Sequence, residues 1–538
     1  MNGKMMFCDL NITSIMQHAL LAYPEQQIVS LKADGQQVHR YSYQQAFARV
    51  AQAAHAFASL GIAPKAIMGT LAWNTYQHIE LHYAIPCSGR VYHTINPRLF
   101  PEQILQIIED AQDEVLFIEP ECIALVERMY PKIQSFVKHI VMLGDIDPQL
   151  RASFPFQFYE QLLHDQPTDY MWPEIQEQQA SGLCYTSGTT GQPKGVLYSH
   201  RSTVLHALIL SMRDVVGLDS RSVMMPMVPL YHISAWGMPY NSLLCGAKLV
   251  CCHQFAGQAE KIVPLMQHEK VDIAMGVPTI WAGIQAYLQQ HPPANFPLKR
   301  AIFGGSAASL ALIGRMQALG IQLDNAWGMT ETSSLAACNH YDYTPTTTAE
   351  HSLTCGRPIF GTKVRLKDQH DQVIAAAPSQ EGQLEIRGHA VVEQYMHQDS
   401  GAEQGWFNTG DIARLDQHGY IHITDRVKDM IKSGGEWISS VALENAVMGY
   451  EKIYEAAVIG VEHPKWGERP LLVVVPKTQY ASISHEEIVS YLSTCIEKWS
   501  LPSATICVQA IPHTPTGKIS KKTLREQYHD YFAQMNVV

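Results

Sequence analysis

The chain has 538 residues, of which 39 are Lys or Arg and 50 are Asp or Glu, so its formal net charge is −11. With 46% hydrophobic and 17% charged residues, the composition excludes a disordered polyanion and a basic protein that coats nucleic acid. Because single hydrophobic cores stop growing near about 250 to 300 residues, we expect more than one domain. We expect no nucleic-acid partner.

The cysteines and the apolar segments bear on the compartment of the protein. Eleven cysteines occur without a C-x-x-C spacing, which argues against a structural zinc site or a secreted disulfide framework. Residues 1–11 lack the basic stretch and apolar run of a secretion signal, and the last residues resemble no retention signal. No segment approaches the roughly 18 apolar residues that cross a bilayer. We therefore expect a cytoplasmic protein without a transmembrane segment.

A polar loop at residues 185–195 is the first informative element. It lies between two apolar runs, 182–184 and 196–198, which predicts a strand, a loop and a second strand. The loop contains three glycines, four hydroxyl side chains and Lys194. That composition suits a polyphosphate cradle, but it is also typical of a mobile turn.

Two common nucleotide-binding patterns do not occur. Pro193 precedes Lys194 and Gly195 follows it, so the loop does not match the G-x-x-x-x-G-K-[ST] pattern of nucleoside triphosphatases. The chain also contains no G-x-G, which excludes the dinucleotide-binding fingerprint.

A charged run at 425–429 is the most useful candidate for a domain boundary. It follows a strand-like segment at 420–424 and precedes the pair Gly434 and Gly435. Roughly 110 residues remain beyond it, which is enough for one small domain. We therefore predict an N-terminal domain at 1–425, a hinge at 426–428 and a C-terminal domain at 429–538.

The C-terminal region alternates strand-like and helical patterns. Apolar runs at 456–461 and 471–475 predict strands, and apolar residues recur at helical spacing from Ser484 through Ile496. Ser484 is a plausible N-cap, and Glu487 is placed as in a capping box. The alternation predicts an α/β chain.

The loop at 185–195 resembles the phosphate-binding signature of the acyl-adenylate-forming superfamily, which includes acyl-CoA synthetases, luciferases and peptide-synthetase adenylation domains. Further signatures follow in the family's order over nearly the whole chain, so chance agreement is negligible. They are 327–332 (WGMTET), 382–388 (GQLEIRG), 405–411 (GWFNTGD), 425–429 (DRVKD), 431–437 (IKSGGEW) and 515–519 (PTGKI). Three less specific segments, 93–99 (HTINPRL), 235–237 (AWG) and 466–470 (WGERP), resemble the fatty-acid CoA ligase branch.

This resemblance implies an α/β fold with a large multi-subdomain N-terminal adenylating domain and a small mobile α+β C-terminal lid. It implies ATP, Mg²⁺ and CoA as cofactors and a medium- or long-chain fatty acid as the substrate. The acid would attack the α-phosphorus of ATP to form acyl-AMP and pyrophosphate, and the thiol of CoA would then displace AMP. A homodimer is expected from this branch of the family.

The resemblance also implies a role for each residue that matches a family motif. The expected catalytic residues are Lys518, Thr186, Glu331 and His232, of which Thr186 and Glu331 would also hold Mg²⁺. The expected ATP-binding residues are Thr186, Ser187, Gly188, Thr189, Thr190, Gly191, Lys194, Gly305, Asn325, Ala326, Trp327, Thr330, Asp411, Arg426, Lys428, Lys432 and Trp437. The expected acyl pocket contains His232, Ile233 and Trp236, and the expected CoA loop contains Ser433, Gly434, Gly435 and Glu436.

Each residue also has a plain structural interpretation when it is considered alone. An isolated Glu331 is most often solvated, an isolated Trp327 is most often a core residue, and Lys428 is easily explained as part of a linker. His232 and Trp236, four positions apart, are also compatible with a core. The ordered set of motifs favours the functional interpretation.

Three alternative functions are compatible with parts of this pattern. The first is a ligase for a short or sulfur-containing acid, and the second is an adenylating enzyme with another acceptor, such as a carrier-protein loader or a luciferase-like oxygenase. The third, a catalytically silent binder, is disfavoured because Glu331, Asp411 and Lys518 are all present.

Overall fold

A computed structural model of the chain describes residues 3–186, 193–305, 308–339, 353–375, 377, 380–398, 401–434, 436–480, 482–514 and 519–535. The strands are β1 (Gln27–Leu31), β2 (Val38–Ser42), β3 (Ile67–Leu71), β4 (Val91–Thr94), β5 (Val115–Ile118), β6 (His139–Met142), β7 (Gln157–Phe158), β8 (Ala180–Thr186), β9 (Lys194–Ser199), β10 (Val223–Pro226), β11 (Lys248–Cys251), β12 (Ile273–Gly276), β13 (Arg300–Gly304), β14 (Gln322–Trp327), β15 (Ala337–Cys338), β16 (Arg357–Pro358), β17 (Thr362–Lys367), β18 (Val373–Ile374), β19 (Gly382–Gly388), β20 (Phe407–Leu415), β21 (Ile421–Arg426), β22 (Ile431–Ser433), β23 (Glu436–Ile438), β24 (Ile453–His463), β25 (Gly467–Pro476) and β26 (Ala504–Cys507).

The helices alternate with these strands over most of the chain. They are α1 (Ile12–Ala22), α2 (Tyr43–Ser59), α3 (Tyr76–Cys87), α4 (Pro101–Ala111), α5 (Ile123–Ile133), α6 (Tyr159–Leu163), α7 (His200–Leu210), α8 (Ile233–Leu244), α9 (Ala259–Glu269), α10 (Pro278–Gln290), α11 (Leu310–Ala318), α12 (Ser440–Met448), α13 (His485–Leu492), α14 (Lys521–Gln527) and α15 (Tyr531–Met535). Short 3₁₀ turns occur at Pro120–Cys122, Thr330–Thr332 and Lys498–Ser500.

Two large, mostly parallel sheets form the body of the molecule. One has the order β7-β6-β5-β3-β4-β8-β9 and is parallel except for the β8–β9 pair. The other has the order β16-β15-β14-β13-β12-β10-β11-β1-β2 and is parallel from β14 to β1. Their central strands are short and buried, because parallel sheets are normally covered on both faces.

The hydrophobic clusters show how helices and sheets alternate as layers. Side chains of α1, α2, α3, α7 and α8 fill the space between the two large sheets. Helices α4 and α5 cover the outer face of the first sheet, and α9, α10 and α11 cover the outer face of the second. The carboxyl ends of parallel strands in such layers are the usual place for a ligand site.

Two smaller sheets complete the described fold. The antiparallel sheet β18-β17-β19-β20-β21 ends at Arg426. The last sheet, β23-β22-β25-β24 with β26 beside β25, is built only from residues after 430 and carries its own apolar clusters. The α/β fold with a large N-terminal domain and a small C-terminal domain is therefore confirmed. The boundaries at 425 and 429 remain a prediction.

The helix predicted after Ser484 is present, although it is shorter than expected. The Ser484 hydroxyl accepts the backbone N–H of Glu487 at 3.1 Å, so the predicted N-cap is correct. The Glu487 carboxylate instead bonds to Tyr450 and Lys452, and α13 ends at Leu492. Ile496 lies beyond the helix and still packs on the same core, which explains its apolar character.

The described residues include all eleven cysteines, and every one is a free thiol. Within the described ranges, every helix is too short or too polar to cross a bilayer.

Candidate active site

The predicted strand, loop and strand at 182–198 form an antiparallel hairpin. Thr186, at the end of β8, pairs with Lys194, at the start of β9, so the two residues face each other at the mouth of the loop. The predicted residues Ser187, Gly188, Thr189, Thr190 and Gly191 lie outside the described residues.

Glu331 lies in a tight turn that follows β14. The turn depends on Gly328, because a Cβ there would lie 1.7 Å from the carbonyl oxygen of Ser334. Ser333 and Ser334 have positive φ values of 55° and 99°, a backbone conformation in which non-glycine residues are uncommon. This close fold keeps Glu331 5% exposed.

Two tyrosines connect the glutamate turn to the hairpin. The Tyr198 hydroxyl on β9 donates to the carbonyl of Thr330 at 2.6 Å, and the Tyr395 hydroxyl donates to Oε1 of Glu331 at 2.7 Å. The Lys194 ammonium lies 4.9 Å from the centre of the Tyr395 ring. The structure therefore brings three predicted residues, Lys194, Thr330 and Glu331, to one place.

The donor set at this place fits Mg²⁺. Mg²⁺ prefers oxygen ligands and is commonly bound by one or two carboxylates together with substrate phosphates. The Tyr395 hydroxyl bonds to Oε1 of the Glu331 carboxylate and not to Oε2. Strand β8, which ends at Thr186, packs against the Glu331 turn. Thr186 and Glu331 are the residues that would hold the ion.

Four of the predicted ATP-binding residues lie at the carboxyl ends of two adjacent parallel strands. Gly304 of β13 is opposite Ala326 of β14, with Gly305 at positive φ directly after it. The Asn325 amide donates to the carbonyl of Thr354 at 2.8 Å. The half-buried Trp327 ends β14, so these residues form one continuous edge.

Asp411 lies on the third sheet, close to the same edge. It is 2% exposed, and its Oδ1 is 3.0 Å from Nε of Arg426. Burial, and then the nearby Asp411 carboxylate, raise the pKa of Cys355 to about 12. Cys355 directly follows Thr354, so segment 354–355 connects Asn325 with Asp411.

The predicted acyl-pocket residues begin α8. His232 is the N-cap, and its Nδ1 accepts the N–H of Ser234 at 3.2 Å. One turn later Trp236 is 4% exposed and meets the Tyr198 ring edge-on at 4.5 Å. A Cβ on Gly182 would lie 2.2 Å from the indole, so the six-membered ring of Trp236 lies directly against the backbone of β8. Ile233 is also buried.

The remaining predicted residues lie at the predicted hinge and in the C-terminal sheet. Lys428 is exposed and lies beside Asp429, Arg426 and Arg525. Desolvation lowers the pKa of its ammonium, and the two arginines act in the same direction, whereas Asp429 opposes them. Lys432 pairs with Trp437 across β22 and β23, with its ammonium 5.6 Å from the indole centre. The predicted residues Gly435 and Lys518 lie outside the described residues.

The predicted CoA loop is partly described. Arg469 donates to the buried hydroxyl of Ser433 at 3.0 Å. Gly434 has a φ of +61° and lies against the ring of Trp466, and Glu436 is exposed. The described contacts fix this loop within the C-terminal sheet.

Sequence reasoning missed three residues that shape the site: Tyr198, Tyr395 and Cys355. Tyr395 is 64 positions from its partner Glu331. No spacing rule connects residues so far apart. For Tyr198, the available sequence signal was its position in the strand predicted at 196–198.

Comparison with known proteins identifies the family. The sequence model of the AMP-binding enzyme family matches residues 17–396, and that of the AMP-binding enzyme C-terminal domain matches residues 442–518. The chain is 41% identical over 540 residues to a 3-methylmercaptopropionyl-CoA ligase of Ruegeria lacuscaerulensis, covering 98% of this chain and 99% of the relative. It is 38% identical over 542 residues to a medium-chain-fatty-acid–CoA ligase of Ectopseudomonas oleovorans, covering 98% of each.

Its fold resembles the crystal structure of the anthranilate CoA ligase AuaEII in complex with anthranoyl-AMP. The TM-score is 0.86 at 22% identity, over 97% of this chain and 98% of that one. The chain therefore belongs to the AMP-binding enzyme family of the acyl-adenylate-forming superfamily, and it is an AMP-forming acyl-CoA ligase that uses ATP, Mg²⁺ and CoA.

Proposed function

We propose that the chain joins CoA to an aliphatic carboxylic acid of short or medium length. The observation that carries this choice is the aromatic wall formed by Trp236, which contacts Tyr198 one hydrogen bond away from the Glu331 turn. An apolar wall beside a charged phosphate site suits a substrate with a carboxylate at one end and an apolar tail at the other.

The first half reaction concentrates negative charge, so the protein's main task is electrostatic positioning. Lys194 and the loop at 186–191 would hold the β- and γ-phosphates, and Glu331 with Thr186 would hold Mg²⁺. Mg²⁺ supplies charge neutralisation of the phosphates. Asp411 would accept hydrogen bonds from the ribose hydroxyls, since an ionised carboxylate can accept hydrogen bonds but cannot donate them.

The residues around the acid have complementary roles in this proposal. His232, at the N-terminus of α8, would lie near the carboxylate, and Lys518 would approach the attacking oxygen and the α-phosphate. Residues Ser433 to Glu436 would line the path of the CoA thiol, whose sulfur attacks the acyl carbon as AMP leaves. Lys432 and Trp437 would contact the nucleotide.

The position of Trp236 favours a short tail. The indole is buried against Gly182 and Tyr198, so a long-chain acid would have to displace it, whereas a short acid would not. The relative from Ruegeria lacuscaerulensis, a ligase for 3-methylmercaptopropionate, supports a short thioether acid as the first candidate. The relative from Ectopseudomonas oleovorans supports a medium-chain fatty acid as the second.

Three further assignments belong to the same proposal. The C-terminal domain, from 429 onward, acts as a lid that rotates about 426–428 between the half reactions. The chain forms a homodimer and acts in the cytoplasm.

A panel of acids assayed for AMP formation, with and without CoA, tests the substrate. The decisive pair is 3-methylmercaptopropionate and pentanoate, which differ only by sulfur in place of a methylene group. A higher rate with 3-methylmercaptopropionate than with pentanoate indicates recognition of the sulfur. Equal rates with these two acids, together with a higher rate with octanoate, indicate a medium-chain fatty-acid ligase. If palmitate were the only acid in the panel to support AMP formation, the proposed tail length would be wrong. If turnover did not depend on CoA, the assignment of CoA as the acyl acceptor would be wrong.

A further inference from the structure

Tyr395 makes a direct hydrogen bond to the carboxylate proposed to hold Mg²⁺. Its hydroxyl donates to Oε1 of Glu331 at 2.7 Å; Glu331 is buried and Tyr395 is half-buried. An ionised carboxylate can only accept a hydrogen bond, so the Tyr395 hydroxyl is the donor in this pair.

The aromatic ring of Tyr395 contacts Lys194, the lysine proposed to bind the nucleotide phosphates. The Lys194 ammonium lies 4.9 Å from the centre of the Tyr395 ring, within the range of a cation–π interaction. One tyrosine therefore contacts both a metal-ligand candidate and a phosphate-binding candidate, which come from elements far apart in the chain.

The backbone around Tyr395 is bonded to the same two elements. Val392 N–H donates to the carbonyl of Glu331 at 2.8 Å, and Met396 N–H donates to the carbonyl of Gly195 at 2.8 Å. The hydroxyl of Ser333 donates to the carbonyl of Ala390 at 3.0 Å. Segment 390–396 is thus a brace between the glutamate turn and the hairpin.

We propose that Tyr395 is a positioning residue that sets the Glu331 carboxylate for Mg²⁺ and holds Lys194 toward the nucleotide phosphates. A hydrogen bond to one carboxylate oxygen restricts rotation of the group and would leave the second oxygen for the ion. Partners that orient metal ligands in this way commonly change metal affinity by about 10- to 100-fold when they are removed. The inference rests on the proposed roles of Glu331 and Lys194.

Two substitutions separate the two contacts. Tyr395→Phe removes the hydrogen bond to Glu331 and keeps a ring beside Lys194, and Tyr395→Leu removes both. Tyr450→Phe is the matched control, because Tyr450 also donates to a glutamate, Glu487, but lies in the C-terminal domain.

The readout is ATP binding by titration calorimetry on the full chain at a series of Mg²⁺ concentrations, without any acid present. We expect Tyr395→Phe to raise the half-saturating Mg²⁺ concentration about tenfold while binding of metal-free ATP stays unchanged. Tyr395→Leu should weaken metal-free ATP binding as well. Tyr450→Phe should match the wild type.

A double-mutant cycle with Glu331→Gln keeps the inference testable even if a Tyr395 variant loses thermal stability. If Tyr395 acts through Glu331, Tyr395→Phe should change the Mg²⁺ dependence little once Glu331 is Gln. Independent, multiplying effects would overturn the inference, as would a Tyr395→Phe protein with wild-type Mg²⁺ dependence. Because no acid is used, these outcomes are distinct from failure of the proposed substrate, in which the wild type would bind Mg²⁺ and ATP without forming AMP.

Discussion

The carboxylate of Asp411 and the guanidinium of Arg426 lie 3.0 Å apart and face each other across the β20–β21 ladder. Val427, the next residue, donates its N–H to the carbonyl of Gly410 at 3.0 Å. The proposed ribose acceptor is therefore bonded to the last strand before Lys428. Any rotation of the C-terminal domain about Lys428 would begin directly beside the proposed nucleotide pocket.

Replacing Lys428 with Pro tests that rotation. Proline fixes φ at about −65° and so should block rotation about this residue. The variant should keep acid-dependent pyrophosphate release and lose thioester formation from supplied acyl-AMP. Lys428→Ala is the control, because it removes the charge and leaves the backbone free. Wild-type turnover in the Pro variant would exclude a hinge at this position.

Lys518→Ala should reduce adenylation by about 10² to 10³, the scale for losing one preorganised charge-stabilising group. Thioester formation from supplied acyl-AMP should continue, since that step releases AMP and needs no attack on phosphorus. Lys522→Ala is a suitable control, because it lies four positions further along the chain and its side chain is 76% exposed. Equal loss of both half reactions would count against the proposed role.

Trp236→Ala should shift the preference toward longer acids, because it removes the indole that covers β8. The change also empties a buried site and should cost about 3 to 5 kcal/mol of stability, so rates are compared as ratios between acids. Gly182→Ala should act in the same direction, since its Cβ would push the indole away from β8. An unchanged chain-length profile in both variants would separate Trp236 from the pocket.

Glu269→Gln should reveal a pH-dependent contribution to stability. Burial opposes ionisation of Glu269, but hydrogen bonds from Arg40, Lys248 and His268 outweigh it and lower its pKa to about 2. A lowered carboxyl pKa stabilises the folded state above the unfolded pKa, and this contribution disappears as the pH falls through the folded value. The shift from 4.5 corresponds to about 3 kcal/mol.

Urea denaturation should therefore show a large difference between the wild type and Glu269→Gln at pH 7. That difference should narrow as the pH falls from about 4.5 toward 2. Glu526→Gln, at an exposed pair with Lys522, should change stability by less than about 0.5 kcal/mol. A constant gap between wild type and Glu269→Gln across this range would contradict the assignment.

The sequence alone determined the class of fold and the order of the motifs. Short apolar runs predicted the β8–β9 hairpin and the strands β24 and β25, because burial on a sheet leaves a local pattern in the chain. The Ser484 N-cap was visible for the same reason, since its partner is three residues away. Local interactions can be predicted from local spacing.

Only the tertiary structure decided which side chains meet across the site. The contacts of Tyr395 with Glu331 and Lys194, and of Trp236 with Gly182, join segments separated by tens or hundreds of residues. The Glu487 carboxylate shows the same limit, because Tyr450 and Lys452, in the turn between α12 and β24, took the place of the local capping partner. Such contacts depend on how layers of strands and helices stack, and the short-range periodicity of a chain carries no information about that stacking.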